Sequence, residues 1–377
     1  MTWCNARLGD ACTLKRGYDL PEGCRVDGDV PVVSSSGITG YHNEKKVEAP
    51  GVVTGRYGTL GEVFYVEQDY WPLNTALYVR DFKGNVPRFI AYFLKNVLHG
   101  RQSDKAAVPG VNRNVLHEVP VRIPTDIPTQ QSIANVLSAY DDMIENNRRR
   151  ISLMLESARL LYCEWFEHLR FPGHEHARVV NGVPEGWTTY KLDDLCKVGR
   201  GASPRPINDY MDGEVPWFKI GDATASESPF VFETKEHVTE DGAKKSVSMR
   251  ANSLILSNSA TCGIPFFTGV KGCIHDGWLH FSDLQKISAH FLYYLFISKQ
   301  QELLSSVGDG STQKNLNTTA VGRLQVALPA TDVLLDQFND VASHSFALIQ
   351  VLARQNLVLR TARDLLLPRL MSGEIAV

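Results

Sequence analysis

The chain has 377 residues, 43% of them hydrophobic and 21% charged, with a formal net charge of −3. That composition is ordinary for a globular protein and long enough for two cored domains. It offers no apolar run able to span a bilayer and no basic-then-apolar leader, so a cytoplasmic protein with no membrane contact is expected. Seven cysteines without a CxxC pair fit a reducing compartment with buried thiols.

In chain order, the first residues are written twice. Trp3, Leu8, Asp10, Cys12, Arg16 and Gly17 recur as Trp187, Leu192, Asp194, Cys196, Arg200 and Gly201, all at an offset of 184. Apolar runs at 52–54 and 63–66 predict short strands, and the stretch 89–97 predicts a helix. Thr59, Gly61, Phe89 and Tyr92 recur as Thr261, Gly263, Phe291 and Tyr294 at an offset of 202. Asn112, Val121 and Pro124 recur as Asn317, Val326 and Pro329 at 205. The growing offset places about twenty extra residues in the second copy, mostly between Arg200 and Asn258. Between these anchors the copies have diverged almost completely. A kept frame with a changed interior suggests one fold used twice to read two different things.

After Pro124, apolar residues run through Ile133, Leu137, Tyr140, Ile144, Ile151, Met154, Ala158, Leu161 and Trp165 at alternating spacings of 4 and 3, with Asn147 as the interruption. This is a heptad seam on a long helix. Pro128 suits its first turn, and Phe171-Pro172-Gly173 is expected to stop it. Asp141-Asp142, beside the seam, is read as a solvated face. The second copy predicts a strand at 253–257 and a helix at 289–304, the counterpart of 89–97. After Pro329 a second seam runs through Leu334, Phe338, Val341, Leu348, Leu352, Leu359, Ala362 and Leu366, with Ser345 and Gln355 interrupting. At about 1.5 Å per residue, each helix would be about 60 Å long.

The expected fold class is therefore mixed α and β: two similar domains, 1–124 and 172–330, and two long helical stretches, 125–171 and 331–377, with an internal pseudo-two-fold repeat. The helices are expected to pair as an antiparallel coiled coil through Leu137, Ile144, Ile151 and Leu161 on one side and Phe338, Val341, Leu348, Leu352 and Leu359 on the other. Antiparallel pairing keeps the domains apart, as a dumb-bell on a stiff spacer. Such an object suits a ligand with two sites at fixed separation, and duplex DNA read in two half-sites is the obvious case.

Charge tempers that reading. Residues 1–124 hold 15 Lys+Arg against 13 Asp+Glu, and residues 172–330 hold 15 against 17. Phosphate neutralisation dominates DNA affinity, so a partner is expected to supply part of it. Motifs of catalysis are missing: no phosphate-binding glycine loop, nucleophile elbow, HExxH or amino-methyltransferase signature occurs. Cys262, Cys273 and His275 lack tetrahedral zinc spacing, and His174 and His176 flank Glu175 in a linker, so neither catalytic residues nor a metal are expected.

Pro184-Glu185-Gly186-Trp187 with Leu192 and Asp194, and the reduced first copy Trp3 with Leu8-Gly9-Asp10, resemble the opening of a target-recognition domain. Val108-Pro109-Gly110-Val111-Asn112-Arg113 before Val119 to Pro124, and Thr312-Gln313-Lys314-Asn315-Leu316-Asn317 before Leu324 to Pro329, resemble its close. Gln130-Gln131-Ser132-Ile133-Ala134 and Arg369-Leu370-Met371-Ser372-Gly373-Glu374-Ile375 are similar to the helix start and chain end of the same family, the DNA-specificity subunits of type I restriction–modification systems. The resemblance covers essentially the whole chain. It implies a non-enzymatic subunit that reads double-stranded DNA. Two modification subunits would carry S-adenosylmethionine and two restriction subunits would use ATP and Mg, with no cofactor on this chain. The rival reading is a coiled-coil scaffold that joins proteins and does not bind DNA.

Direct readout uses Arg or Lys on guanine and Asn or Gln on adenine, presented from loops. Ser34-Ser35-Ser36-Gly37 and Thr54-Gly55-Arg56-Tyr57-Gly58 are polar and glycine-bounded, which makes Ser35, Arg56, Tyr57, Asn112 and Arg113 the candidates in the first domain. In the second they are Arg205, Lys219, Asn258, Lys314 and Asn315. Trp71, Trp217 and Trp278 are assigned to the core.

Overall fold

A computed structural model describes residues 2–56, 61–99, 112–180, 182–259, 261–306 and 315–377. Two compact units divide the chain: Met1–Ile144 with Val358–Val377, and Glu145–Leu357.

The first unit runs β1 (Trp3–Arg7), α1 (Leu8–Ala11), β2 (Thr13–Arg16), β3 (Val30–Ser34), β4 (Gly37–His42), β5 (Gly51–Gly55), β6 (Val63–Val66), β7 (Trp71–Pro72), β8 (Ala76–Asp81), α2 (Pro87–Leu98), α3 (Arg113–His117) and β9 (Pro120–Pro124), then enters α4 (Ile127–Tyr162). Its main sheet has the order β2-β8-β5-β6, and a smaller one the order β4-β3-β7. The second unit opens with β10 (Val179–Val180) and β11 (Val183–Pro184), then β12 (Trp187–Lys191), α5 (Leu192–Leu195) and β13 (Lys197–Arg200). It continues through β14 (Met211–Phe218), α6 (Ile220–Thr224), β15 (Phe230–Val231), β16 (His237–Val238), α7 (Glu240–Lys244), β17 (Val247–Met249), β18 (Leu254–Ser257) and β19 (Pro265–Thr268). It closes with β20 (Gly272–Ile274), β21 (Trp278–Ser282), α8 (Ala289–Ser298), α9 (Gln300–Ser306), α10 (Thr318–Gly322) and β22 (Gln325–Pro329), then enters α11 (Val333–Ser372).

The repeat is clearest in the main sheets, while the smaller sheet of the second copy has the order β16-β14-β20-β17. The sheet β13-β21-β18-β19 reproduces β2-β8-β5-β6 strand for strand, and the second copy adds β15 at its edge. Each copy is closed by pairing its first strand with its last. Trp3 faces Pro124 and Arg7 faces Pro120 across β1 and β9, and Trp187 faces Pro329 and Lys191 faces Gln325 across β12 and β22. The following short helix is capped alike in both, with the Arg7 N–H donating to Asp10 and the Lys191 N–H to Asp194, each at 3.0 Å. The 254–257 strand falls inside the expected 253–257 stretch, while the helix expected over 289–304 breaks between Ser298 and Gln300.

Two sets of contacts position the long helices. In the first unit, Ile133, Ala134 and Leu137 of α4 and Leu367, Leu370 and Met371 of α11 share a core with Phe89, Ile90 and Phe93 of α2. Asp141 accepts hydrogen bonds from Tyr92 Oη and from Arg363, whose side chain is only 15% exposed. Asp141 is therefore no solvated carboxylate; it joins α2, α4 and α11, while Asp142 outside it meets Arg88 at 3.3 Å. In the second unit the order of contacts runs oppositely along the two helices. Asn147 Nδ2 donates to Asn356 Oδ1 at 2.9 Å, both residues buried, and farther along α4 Tyr162 packs on Phe338 near the start of α11.

Of the residues expected in the seam, Leu137, Ile144, Ile151, Phe338 and Leu352 are buried, and Leu161 and Leu359 are half-buried. Val341 and Leu348 are not: they are 46% and 41% exposed. The buried face of α11 runs instead through Leu335, Phe338, Ala342, Phe346, Ile349 and Ala353. The reason is that α11 packs on its own domain as well as on α4. Phe346 lies against Phe230, Phe267, Tyr293 and Tyr294, and that aromatic cluster turns the helix off a pure two-helix seam. The first helix also ends before Phe171, in a π turn over Cys163–Glu167, with Leu169 left-handed at φ 58°.

These packings separate the expected effects of single changes. Asn147→Ala should cost about 1–3 kcal/mol by removing a buried hydrogen bond to Asn356, and Ile144→Asp about 3–5 kcal/mol by burying an unpaired charge. Leu348→Asp should stay within about 0.5 kcal/mol, since it faces solvent. Thermal or denaturant unfolding checks all three, and a large loss for Leu348→Asp would overturn the observed register of α11.

Candidate nucleic-acid interface

In each copy the chain makes a glycine-bounded turn after the first strand of the main sheet and lays it on a loop that precedes the second. The contact is tight. A Cβ on Gly17 would lie 2.2 Å from the Leu73 carbonyl oxygen, and one on Gly201 would lie 2.2 Å from that of His275. Three further bonds repeat. Gly17 N–H donates to Ala76 O at 3.1 Å and Gly201 N–H to Trp278 O at 2.9 Å. Arg56 N–H donates to Thr75 O at 3.1 Å and Asn258 N–H to Gly277 O at 2.9 Å. Arg16 Nε donates to Asn74 O at 3.4 Å and Arg200 Nε to Asp276 O at 2.8 Å. One backbone frame thus carries Arg56, Asn74 and Thr75 in the first copy and Asn258, Asp276 and Gly277 in the second.

Around the frame the side chains differ. In the first copy Asn74 Nδ2 donates to Asp19. In the second, Ser203 Oγ donates to Asp276 Oδ1 at 3.1 Å, and His275 Nδ1 accepts the Gly277 N–H at 2.9 Å. Burial holds His275 below the ordinary histidine pKa, which favours the neutral ring that this acceptor role requires.

The expected readers divide into groups. Ser35 sits half-buried in the turn between β3 and β4, beside Ser34, whose hydroxyl takes the Ser36 N–H at 3.1 Å; Arg56, also half-buried, follows the end of β5. Arg113 and Asn315 are exposed, as is Arg205 in the loop 201–206. Lys219 is committed within the domain: its Nζ meets Glu236 at 2.6 Å and lies 4.5 Å from the centre of the Trp217 ring. Tyr57 and Lys314 lie outside the described residues.

Asn112 has a structural role, and Asn258 is corrected. Asn112 is a helix cap, accepting the Asn114 N–H at 2.9 Å, and Asn317 caps α10 in the same way, accepting the Ala320 N–H at 2.7 Å. The side chain is kept in both copies because an uncapped helix start leaves backbone donors unpaired. Asn258 is 1% exposed and donates to Asp276 O at 3.0 Å, so it braces the loop from beneath. What sequence reasoning passed over is Arg16 and Arg200. Both are exposed, and their recurrence at one offset was the available signal.

The cysteines do not all follow the expectation of buried thiols, since Cys24 is exposed. The repeated pair does: burial pushes Cys12 up to about 12 and Cys196 up to about 11. Trp71, Trp217 and Trp278 are buried. Among the described residues, no helix is long and apolar enough to cross a membrane.

The sequence matches a family model described as the type I restriction modification DNA specificity domain, over residues 1–156 and again over 184–337. It is 25% identical over 386 residues to the specificity subunit of the type I restriction enzyme MjaIX of Methanocaldococcus jannaschii, covering 93% of this chain and 88% of that one. It is 28% identical over 207 residues to the specificity subunit of the type I restriction enzyme HindI of Haemophilus influenzae, covering 51% of this chain and 42% of that one. The fold is similar to that of a type I restriction–modification S subunit from M. genitalium, with a TM-score of 0.64 at 14% identity over 98% of this chain and 96% of the other.

The close approach at each turn sets a test of the shared frame. Gly17→Ala and Gly201→Ala should each cost about 1–3 kcal/mol, because a methyl group must force the chain off a carbonyl oxygen. Thermal melting checks this, and unchanged melting in either variant would mean that the loop gives way freely.

Proposed function

This chain belongs to the type I restriction–modification DNA specificity family, whose specificity subunits are not themselves catalysts, and we propose that each of its domains reads one half of a bipartite target in duplex DNA. The observation that carries this reading is the pair of frames described above, alike in backbone and unlike in side chains. A protein that read one sequence twice would have no need of Arg56, Asn74 and Thr75 in one copy and Asn258, Asp276 and Gly277 in the other. The long helices would set the gap between half-sites and dock two modification subunits, with two restriction subunits joining the complex in the cytoplasm. Those partners would carry S-adenosylmethionine, ATP and Mg. They would also share the phosphate contacts that a chain of net charge −3 cannot supply alone.

The candidate readers are Ser35, Arg56, Tyr57, Asn112 and Arg113 in the first domain and Arg205, Lys314 and Asn315 in the second, with Lys219 held back by Glu236. A side chain that reads a base edge discriminates by about 1–3 kcal/mol, whereas a phosphate contact weakens all sequences alike. Arg113→Ala should therefore relax one half-site, and Arg205→Ala the other. Mapping methylated sites in host DNA for each variant is the measurement. A shift at both half-sites from either single change would sink the one-domain-per-half-site reading. Removing one heptad from each long helix should also narrow the gap by about three base pairs, from about 10 Å of helix at about 3.4 Å per base pair. An unchanged gap would exclude the helices as the ruler.

A further inference from the structure

We propose that Arg16 and Arg200 are a matched pair of DNA-backbone contacts, one per domain, that hold each half-site by its phosphates whatever its bases. The inference rests on the reading of the protein as a bipartite DNA binder and extends it to residues that take no part in base selection.

Two diverged copies keep only what both need. Buried anchors such as Leu8 and Leu192, or Phe89 and Phe291, are kept by packing. The exposed pair Asp10 and Asp194 is kept because each accepts a backbone N–H at the start of a short helix. The exposed pair Asn112 and Asn317 is kept for the same reason. Arg16 and Arg200 are exposed too, but they cap no helix. Each spends its Nε–H on the carbonyl of the adjoining loop, Asn74 or Asp276. Neither forms an ion pair with a carboxylate among the described residues, although several other cations do, Lys45, Lys83, Arg88 and Lys219 among them.

Each Nε–H donates to the equivalent loop carbonyl, at 3.4 Å for Arg16 and 2.8 Å for Arg200, and each guanidinium has its two terminal nitrogens as a further donor fork. That fork matches the paired oxygens of a phosphate. The adjoining Gly17 and Gly201 let the turn approach the loop closely enough to make the Nε bond, so the same geometry is built twice. Two half-sites of different sequence have only one chemical feature in common, the phosphodiester backbone. A charged side chain kept in both copies, aimed alike, and set beside loops that differ, fits that shared feature and no base.

The test uses the full-length chain with its modification partner and two short duplexes, one carrying the target mapped from host methylation and one of scrambled sequence. Arg16→Gln and Arg200→Gln retain a donor for the carbonyl but remove the charge. Each should lower the slope of log affinity against log salt by about 0.9, and the double variant by about twice that. Both duplexes should weaken by the same factor, with melting temperature and methylated sequence unchanged. Arg16→Lys and Arg200→Lys should restore the slope. An unchanged slope would show that the arginines only brace the loop. A loss confined to the target duplex, or a changed base at one half-site, would make them readers instead. Failure of the unaltered complex to bind either duplex would overturn the bipartite reading itself, and this inference with it.

Discussion

The fold depends on how each copy is closed. Its first strand pairs with the strand that runs directly into the long helix, in the same register both times: Trp3 opposite Pro124, and Trp187 opposite Pro329. This two-stranded closure fixes where a domain begins and where its helix departs. It also places a tryptophan against a helix end. Trp3 lies against Gly373 just beyond α11, which has φ +75° and no room for a Cβ, and Trp187 packs on Phe166 and Phe171 beyond α4. With both ends of each domain pinned there, loops elsewhere in the domain can change length and chemistry without moving the helix exits.

The helices themselves combine apolar burial with a few buried polar contacts. Apolar stripes of similar spacing could slide past one another at modest cost, whereas a buried amide or carboxylate must meet its partner or lose its hydrogen bonds. Asn147 with Asn356 in one unit, and Asp141 with Arg363 and Tyr92 in the other, each give a fixed point. The Asp141 cluster adds something a coiled coil lacks, because Tyr92 comes from the domain and ties the helix to the globular part.

Much of this was legible in the sequence, and what was not has physical causes. The recurring anchors gave the two copies and the starts of the long helices, because they are the residues that hold the frame; the strand order had no signal in the sequence. The heptad run in α4 gave a stripe whose Ile133, Leu137, Ile144, Ile151 and Ala158 are all buried. The same rule misplaced Val341 and Leu348 in α11, because the aromatic residues that turn that helix lie about 50 to 120 positions away, in β15, β19 and α8. Asn258 looked like a reader because its environment is set by Asp276 and Gly277, which arrive from a distant loop. The capping role of Asn112 had a signal in the sequence, its recurrence as Asn317.

That last point gives a general way of sorting this chain. Both copies satisfy the same folding constraints, so position by position they act as an internal control. A buried residue present in both serves the core, and an exposed one that satisfies its own backbone serves a turn or a cap. A half-buried or exposed residue that differs between copies, such as Asn74 against Asp276, is free to carry what would distinguish two half-sites. The remaining class, exposed, shared and with hydrogen-bonding capacity to spare, is small. On the proposed bipartite reading, it serves what the two half-sites have in common. For a chain with no excess of positive charge, a few cations placed by geometry must do what a diffuse basic surface does in other DNA-binding proteins. A guanidinium oriented by one internal bond loses less freedom on meeting a phosphate than a mobile lysine would, so sparse charge and rigid placement belong to the same design.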